Sequence, residues 1–410
     1  MSKSIWYISK YFTTPIISGS ARPYWIARGL AEHHGHNVTV LTSNFDHFTM
    51  TDQAEILVKR ISANLEIRPL RSMKYSNARS IKRALSWLTF ELSVVLESFK
   101  IKNKPDVIIA SSPSIFTFLT GYFLSLRFKS KFIVEVRDIW PLTIVGEGLL
   151  AERNLVIRAL ELIEEFAYKK AHAIVGIMPN LVSQVERVSS RTEGIYCVPQ
   201  GCSQDLIGIT GPKNNNSLLE IPSLKNKFVV GYAGSIGSSN SLDTLFEAAK
   251  ILKIQENIHF LIIGDGKLRN NFKKKYEGLG NITFVSRLAQ QDLHGILSKC
   301  DLLYFGCDAG SLWQYGQSLN KLIDYMLSSR PILGSYSGFK TMINEANCGI
   351  YVPAMDSTAV AKAIECFTLL SHETLSEMGA KGRNWVIENR NFEKLSSEYN
   401  DVIVSLWNLK

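Results

Sequence analysis

The chain has 410 residues, a length that suits two or three domains and not one. With 46% hydrophobic and 20% charged residues, it has an ordinary globular composition with ample core material. Its formal charge of +9 suits anionic partners such as nucleotides, phospholipid headgroups or nucleic acid; no dense basic-aromatic motif is present, so nucleic-acid reading is set aside.

Residues 4–9 (SIWYIS) read as an apolar strand, entered from Met1-Ser2-Lys3-Ser4 without a signal-peptide pattern. A polar loop, a helix over 21–32 and a strand over 38–42 follow, as in doubly wound folds. Ser18-Gly19-Ser20 falls at the strand-to-helix turn, where such folds bind ligands. Arg22, in the first helical turn, is a candidate phosphate or acceptor contact; a surface arginine is the alternative.

Residues 57–69 are strand material, and 80–100 a long helix with apolar residues near helical spacing. Arg71, Lys74, Arg79, Lys82 and Arg83 precede or open this helix; Lys100, Lys102 and Lys104 close it. With Trp87 and Phe90, such a helix could rest on an anionic membrane surface, or it packs with solvated ends. Residues 107–126 form a 20-residue stretch without a charge, the length of a membrane span. Ser111-Ser112-Pro113-Ser114 interrupts it, so it reads as a buried strand (107–110) and a core helix (115–126).

A strand over 131–136 ends in Arg137-Asp138-Ile139-Trp140-Pro141, and Asp138 is the preferred polar contact with substrate in this half. An Asp that only caps a turn is the alternative. Helices over 154–170 and 179–188 alternate with strands over 172–176 and 195–198. Residues 208–223, rich in Gly, Pro, Asn and Ser, read as a linker.

The second half restarts the pattern. A strand over 228–233 runs into Gly234-Ser235-Ile236-Gly237 and a helix over 241–252, a turn suited to cradling phosphate with backbone N–H groups. It is not a full G-x-G-x-x-G. The strand over 259–263 ends in Gly264-Asp265-Gly266, and that over 282–285 in Ser286-Arg287. After a strand over 301–305 and a loop, GQSLNKLIDYMLSSRP (316–331) carries a helix over 320–327 and leads into a strand. Ser318, Leu319 and Asn320 open that helix, and Lys321 stands in its first turn, where the dipole alone favours an acid. A helix start with a cation beside it suits a phosphate, and Asp324, one turn below Asn320, could hold a sugar diol. A capped surface helix with a solvated lysine is the alternative. A strand over 349–353 and helices over 358–369, 373–388 and 392–409 complete the chain. The six cysteines, at 197, 202, 300, 307, 348 and 366, show no C-x2-C pair or Cys/His spacing, which argues against zinc and for a reduced cytoplasmic compartment.

Seven stretches then occur in one order: SGSARPYWIARGLAEHHGHNVTVLT, EVRDIWP, VPQGCSQD, GYAGSIGSSNSLDTLFEAA, FLIIGDG, SLNKLIDYMLSSRPIL and NCGIYVP. In these the chain resembles family 4 glycosyltransferases over essentially its whole length. The likeness is to bacterial enzymes that build O-antigen and capsule repeat units, of the N-acetyl-fucosamine transferase type. The resemblance implies an α/β GT-B fold, two Rossmann-like domains facing each other across a cleft. Residues 1–205 would bind acceptor and 206–388 the nucleotide sugar, with 389–410 crossing back to the first domain.

The resemblance also implies roles. Asp324 matches the acid that holds the donor ribose, a position usually Glu. Ser318, Leu319 and Asn320 would face the diphosphate and sugar, with Lys321 adding charge. Gly234, Ser235 and Gly237 would floor the phosphates, Gly264 and Asp265 lie under the nucleoside, and Arg287 near the base. Ser18 and Gly19 would close over the donor. Asp138 would lie near the transferred sugar or acceptor, and with Lys321 it makes the catalytic pair expected here. Three departures stand out. The family's first acid, eight residues before Asp324, is Gly316 here, so that acid is missing or is realised elsewhere, for example through Gln317 or Asp308. The Arg and Lys usual after the first glycine are Ser235 and Asn240, so charge must come from Lys321, Arg287, Arg22 or dipoles. The histidine common in the first half gives way to Arg-Asp-Ile-Trp-Pro.

No D-x-D pair that would hold a metal is found; fixed N–H groups, helix starts and cations are the other means of stabilising a nucleoside diphosphate leaving group. The expectation is therefore a metal-independent transferase without a cofactor, and the resemblance implies retention at the anomeric carbon without an enzyme nucleophile. It would use a nucleotide sugar, UDP-linked, and a polyprenyl-diphosphate-linked saccharide. It would be cytoplasmic and peripheral on the inner face of the membrane. A nucleotide-sugar epimerase of the same fold and a non-catalytic partner subunit are the alternatives.

Overall fold

The structure, a computed structural model, describes residues 2–15, 21–45, 60–75, 80–146, 148–208 and 224–408. Ser18, Gly19, Arg79 and nearly all of the expected linker lie outside the described residues. The chain divides into two compact units, Met1–Gln200 with Phe392–Lys410, and Gly201–Asn391.

The first unit is built on eight strands. They are β1 (Ser4–Ser9), β2 (Asn37–Ser43), β3 (Arg60–Ser62), β4 (Leu65–Leu70), β5 (Val107–Ser111), β6 (Lys131–Val136), β7 (Ala173–Gly176) and β8 (Ile195–Cys197). Their order is β3-β4-β2-β1-β5-β6-β7-β8, and every pairing is parallel except that of β3 with β4. Central strands in such a sheet are covered on both faces, which explains their unbroken apolar runs. Along β1, Ile5 and Tyr7 face a layer containing the helix Arg22–Glu32, while Trp6 and Ile8 face the opposite layer, with Phe90 and Val94 of the helix Ile81–Glu97. The uncharged 20-residue stretch resolves into β5 and the helix Phe116–Phe128. Among the described residues, no helix is long and apolar enough to cross a membrane.

The last helix, Phe392–Ser405, belongs to the first unit. Its Phe392, Leu395, Tyr399, Val402 and Ile403 are buried in the same core as Ile26, Ala27 and Leu30 of Arg22–Glu32. The division between the units falls at Gln200 and Gly201, a few residues before the expected one.

The second unit holds β9 (Phe228–Ala233), β10 (Ile258–Ile263), β11 (Ile282–Val285), β12 (Leu302–Gly306), β13 (Ile332–Ser335) and β14 (Gly349–Val352). The order is β11-β10-β9-β12-β13-β14, all parallel. From β9 the chain builds outward through β10 and β11 on one side, then returns to β12 on the other. The carboxyl ends of β9 and β12 therefore border the point where strand order reverses, which is where open α/β sheets bind ligands.

Candidate active site

The loop after β9 is joined to the loop after β10 through backbone. Gly234 N–H donates to Ile263 O (3.0 Å), Ile236 N–H to Asp265 O (2.9 Å), and Leu268 N–H to Ile236 O (3.2 Å). Gly264 has φ +145°, and a Cβ there would lie 1.9 Å from Gly234 O. Only a residue without a side chain allows that approach. The result is a shallow floor made largely of main chain, with Ser235 exposed and Gly234 and Gly237 partly so. Asp265 fixes the next loop as well: its Oδ2 accepts from Arg287 N–H (3.0 Å) and its Oδ1 lies 3.5 Å from Arg269 Nε. Asp265 thus shapes the turn, and Arg287 is left exposed at the end of β11.

The helix Asn320–Leu327 follows the loop after β12. Leu319, at its N-cap, is extended and supplies no side-chain cap, so the amide groups of the first turn are not closed off by a side chain. Tyr325 ties the helix to both sides of the reversal point. Its hydroxyl accepts from Ala233 N–H (2.8 Å) and is shared between the carbonyls of Ala233 and Tyr304, each at 3.1 Å.

Lys321 does not point into solvent, as a capped surface helix would have it. Its amine reaches back to the β9 loop, donating to Asn240 Oδ1 and lying 3.5 Å from the Tyr232 hydroxyl and 5.0 Å from that ring's centre. A Cβ on Gly234 would sit 3.4 Å from Lys321 Nζ, so the amine overlooks the glycine floor. Burial pulls the Lys321 amine down to about 8. Among the described residues, no carboxylate forms an ion pair with it. A half-buried cation without a counter-charge, next to main-chain N–H groups, is an arrangement that an anion completes.

Asp324 is 19% exposed. Its Oδ1 accepts from Gln290 Nε2 (3.0 Å) and from the His294 ring (2.8 Å), both on the helix Gln290–Leu297. These two side chains hold the carboxylate in one orientation and leave its second oxygen without a protein partner among the described residues. Gln290 and His294 were not expected in the site; their i, i+4 spacing on a helix ahead of β12 was the available signal.

Of the substitutes expected for the missing first acid, Asp308 is committed to its own loop, accepting from Trp313 Nε1 (2.6 Å) and Gly310 N–H (3.0 Å). Gln317 is buried; its Oε1 accepts from Leu319 N–H (3.3 Å), and its Nε2 has no partner. Gln317 is thus the polar group spare at the helix start.

In the first unit, the expected ligand contact at Arg22 gives way to a structural role. Arg22 is fully buried and paired with Glu135 at 2.9 Å. Its remaining donors go to the carbonyls of Val198 (2.7 Å) and Pro199 (3.0 Å). Glu135 also accepts from Tyr7 and Ser111, each at 2.7 Å. With its donors committed inside the core, Arg22 is not the surface arginine of the alternative reading either. Asp138 is exposed beyond β6, and its backbone N–H donates to Ser112 Oγ (3.2 Å), which also receives Arg137 N–H (2.8 Å). The structure gathers Gly234, Ser235, Gly237, Ser318, Leu319, Asn320, Lys321 and Asp324 around one reversal point, with Gly264, Asp265 and Arg287 on the adjoining loops. Asp138 belongs to the other unit.

Residues 227–368, which contain this entire cluster, match the family described as Glycosyl transferases group 1. A probable glycosyltransferase of Pseudomonas aeruginosa, WbjE, is 23% identical over 320 residues, 76% of this chain and 77% of that one. The chain is a glycosyltransferase. Its fold is shared with solved structures across nearly all its length. Sucrose-phosphate synthase from Thermosynechococcus elongatus superposes with a TM-score of 0.76 at 16% identity, covering 100% of both chains. HepE from Anabaena, solved with UDP and glucose, gives 0.67 at 13%, covering 98% of this chain and 100% of that one. WaaG, a glycosyltransferase involved in lipopolysaccharide biosynthesis, gives 0.64 at 15%, covering 98% and 99%. The fold of this glycosyltransferase is GT-B, two α/β units each on a largely parallel sheet.

Proposed function

We propose that this glycosyltransferase moves a sugar from a UDP-linked donor to a polyprenyl-diphosphate-linked saccharide during O-antigen or capsule assembly. The configuration at the anomeric carbon is retained, and no metal is used. The sugar is an N-acetylated deoxyhexosamine such as N-acetyl-L-fucosamine. The observation that carries the reading is Lys321, a cation held over a glycine floor beside an uncapped helix start with no acid of its own. Asp324, braced by Gln290 and His294, would take the ribose hydroxyls on its free oxygen, and Gln317 Nε2 would serve in place of the missing acid. Asp138 would approach the transferred sugar or acceptor. Complexes of HepE with UDP and with UDP-glucose support the donor class, and the role of WaaG supports the pathway. The last helix, returned to the first unit, is in keeping with a domain arrangement of 1–205, 206–388 and 389–410.

The test is a transfer assay with UDP-hexosamines and a polyprenyl-diphosphate saccharide in the presence of a chelator. Product with the donor's anomeric configuration is expected. Asp324→Ala should weaken donor binding in calorimetry far more than it shifts melting. Product made from the UDP-sugar alone would point to an epimerase, and a lack of all nucleotide binding to a non-catalytic subunit; either overturns the reading.

A further inference from the structure

In the first unit, two neighbouring helices bury apolar side chains such as Phe90, Val94, Phe118 and Leu124 and yet carry apolar side chains on their exposed faces too. Along Phe116–Phe128, Thr117, Thr120 and Ser125 are buried, while Leu119, Phe123 and Leu126 are exposed, Phe123 by 52% and Leu126 by 61%. Their spacing of four and three residues places them on a single stripe. Ile81–Glu97 and the turn after it repeat the pattern: Leu88, Leu92, Leu96 and Phe99 share one exposed stripe, while Ser86 and Glu91 are buried. The helices touch through Trp87 and Phe116, and through Arg127, whose guanidinium lies 3.6 Å from the Phe99 ring centre and donates to Ser98 Oγ (3.0 Å). A third helix, Leu155–Lys170, packs alongside through Phe166 on Tyr122 (ring centres 4.9 Å apart) and exposes Leu155 and Leu162. Scattered exposed apolar residues need no explanation, but contiguous stripes on two adjacent helices, continued by single leucines on a third, do.

Charge indicates what covers this face. All three helices follow parallel strands (β4, β5 and β6) and run back against them, so their C-terminal ends meet at one edge of the unit. That edge carries exposed Lys100, Lys102, Lys104, Arg127 and Lys129, with Lys169 and Lys170 on the third helix. The acids nearest this edge are occupied: Glu97 pairs with Arg68 (3.0 Å) and Lys100 (3.2 Å), Glu165 pairs with Lys169, and Asp106 accepts from Ser4 N–H (2.8 Å). A second copy of a chain of net charge +9 would bring the same basic edge against it.

We infer that this three-helix face docks on a bilayer surface containing anionic lipid, its leucines and phenylalanines entering the headgroup–acyl boundary and its basic edge meeting the lipid charge. The inference rests on the first unit alone and holds whichever sugar or acceptor the enzyme uses. The test is flotation of the full chain with vesicles of phosphatidylcholine, and of phosphatidylcholine with about one-third phosphatidylglycerol. Wild type is expected to float with the anionic vesicles and to be only partly released at about 0.5 M salt, since screening leaves apolar insertion intact. Leu92→Glu with Phe123→Glu should lower the bound fraction roughly tenfold at unchanged melting temperature and nucleotide binding. Lys102→Glu with Lys104→Glu, on an exposed turn, should weaken flotation and reduce its salt sensitivity. Wild type failing to float with either vesicle would overturn the proposal. So would the apolar double variant floating like wild type, or light scattering showing a dimer that Phe123→Glu dissolves.

Discussion

At the residue scale, the amine of Lys321 links stability to binding. In the unfolded chain a lysine titrates near 10.4, and in the folded enzyme burial lowers this one to about 8. The folded state therefore disfavours the charged form. The penalty is present in full below about pH 8 and fades as pH rises toward the unfolded value, amounting to about 3 kcal/mol at neutral pH. Lys321→Met is expected to raise stability by about 1–2 kcal/mol at pH 7 after loss of its hydrogen bonds, and by less at pH 10, as read from denaturant unfolding. An equally stable or weaker variant at pH 7 would show that the amine is not under strain. A diphosphate seated on the floor would restore the amine's affinity for a proton. Nucleotide binding between about pH 8 and 9 should then take up a proton in wild type and not in the variant, measured as a dependence of binding heat on buffer ionisation. The types and positions of Lys321 and Asp324 were legible in the sequence. The direction of the lysine was not, because a first-turn lysine reads alike whether it faces solvent or folds back. Arg22 misled for a similar reason: its partner Glu135 lies 113 positions away, and nothing local marks the pair.

At the scale of elements, strand ends and glycines decide the site. Most strands and the helix Asn320–Leu327 could be read from apolar runs and turn residues, while short helices such as Met342–Ala346 and Gln204–Ile207 were missed. The first of these had a signal, Thr341 with Asn344 forming a reciprocal cap. What could not be read is how two glycine loops meet. Gly264→Ala would push a Cβ into the Gly234 carbonyl and is expected to cost about 2–4 kcal/mol, and to reduce nucleotide binding through displacement of the floor. Gly278→Ala, in open space, serves as the control and should be near neutral. Equal melting temperatures for the two variants would show that the loops do not rely on this contact.

At the scale of the whole molecule, the sequence revealed the two α/β units because each repeats the strand–loop–helix pattern. It could also place the last helix back on the first unit, but only through resemblance; the physical reason is the apolar face of Phe392–Ser405, buried against Arg22–Glu32. Of the helices with exposed apolar stripes, Ile81–Glu97 was legible as an apolar helix with basic ends, but Trp87 and Phe90, expected at a membrane surface, are buried; Phe116–Phe128 was expected in the core and exposes Leu119, Phe123 and Leu126, because which side faces outward is set by the fold. The account centres on an anion held between the β9 loop and the start of Asn320–Leu327. Calorimetric titration of UDP into wild type and Lys321→Met at pH 7 tests this most directly. Saturable binding to wild type is expected, weakened by about 1.5–3 kcal/mol, roughly 10- to 100-fold, in the variant. UDP bound as tightly by Lys321→Met as by wild type would contradict the account.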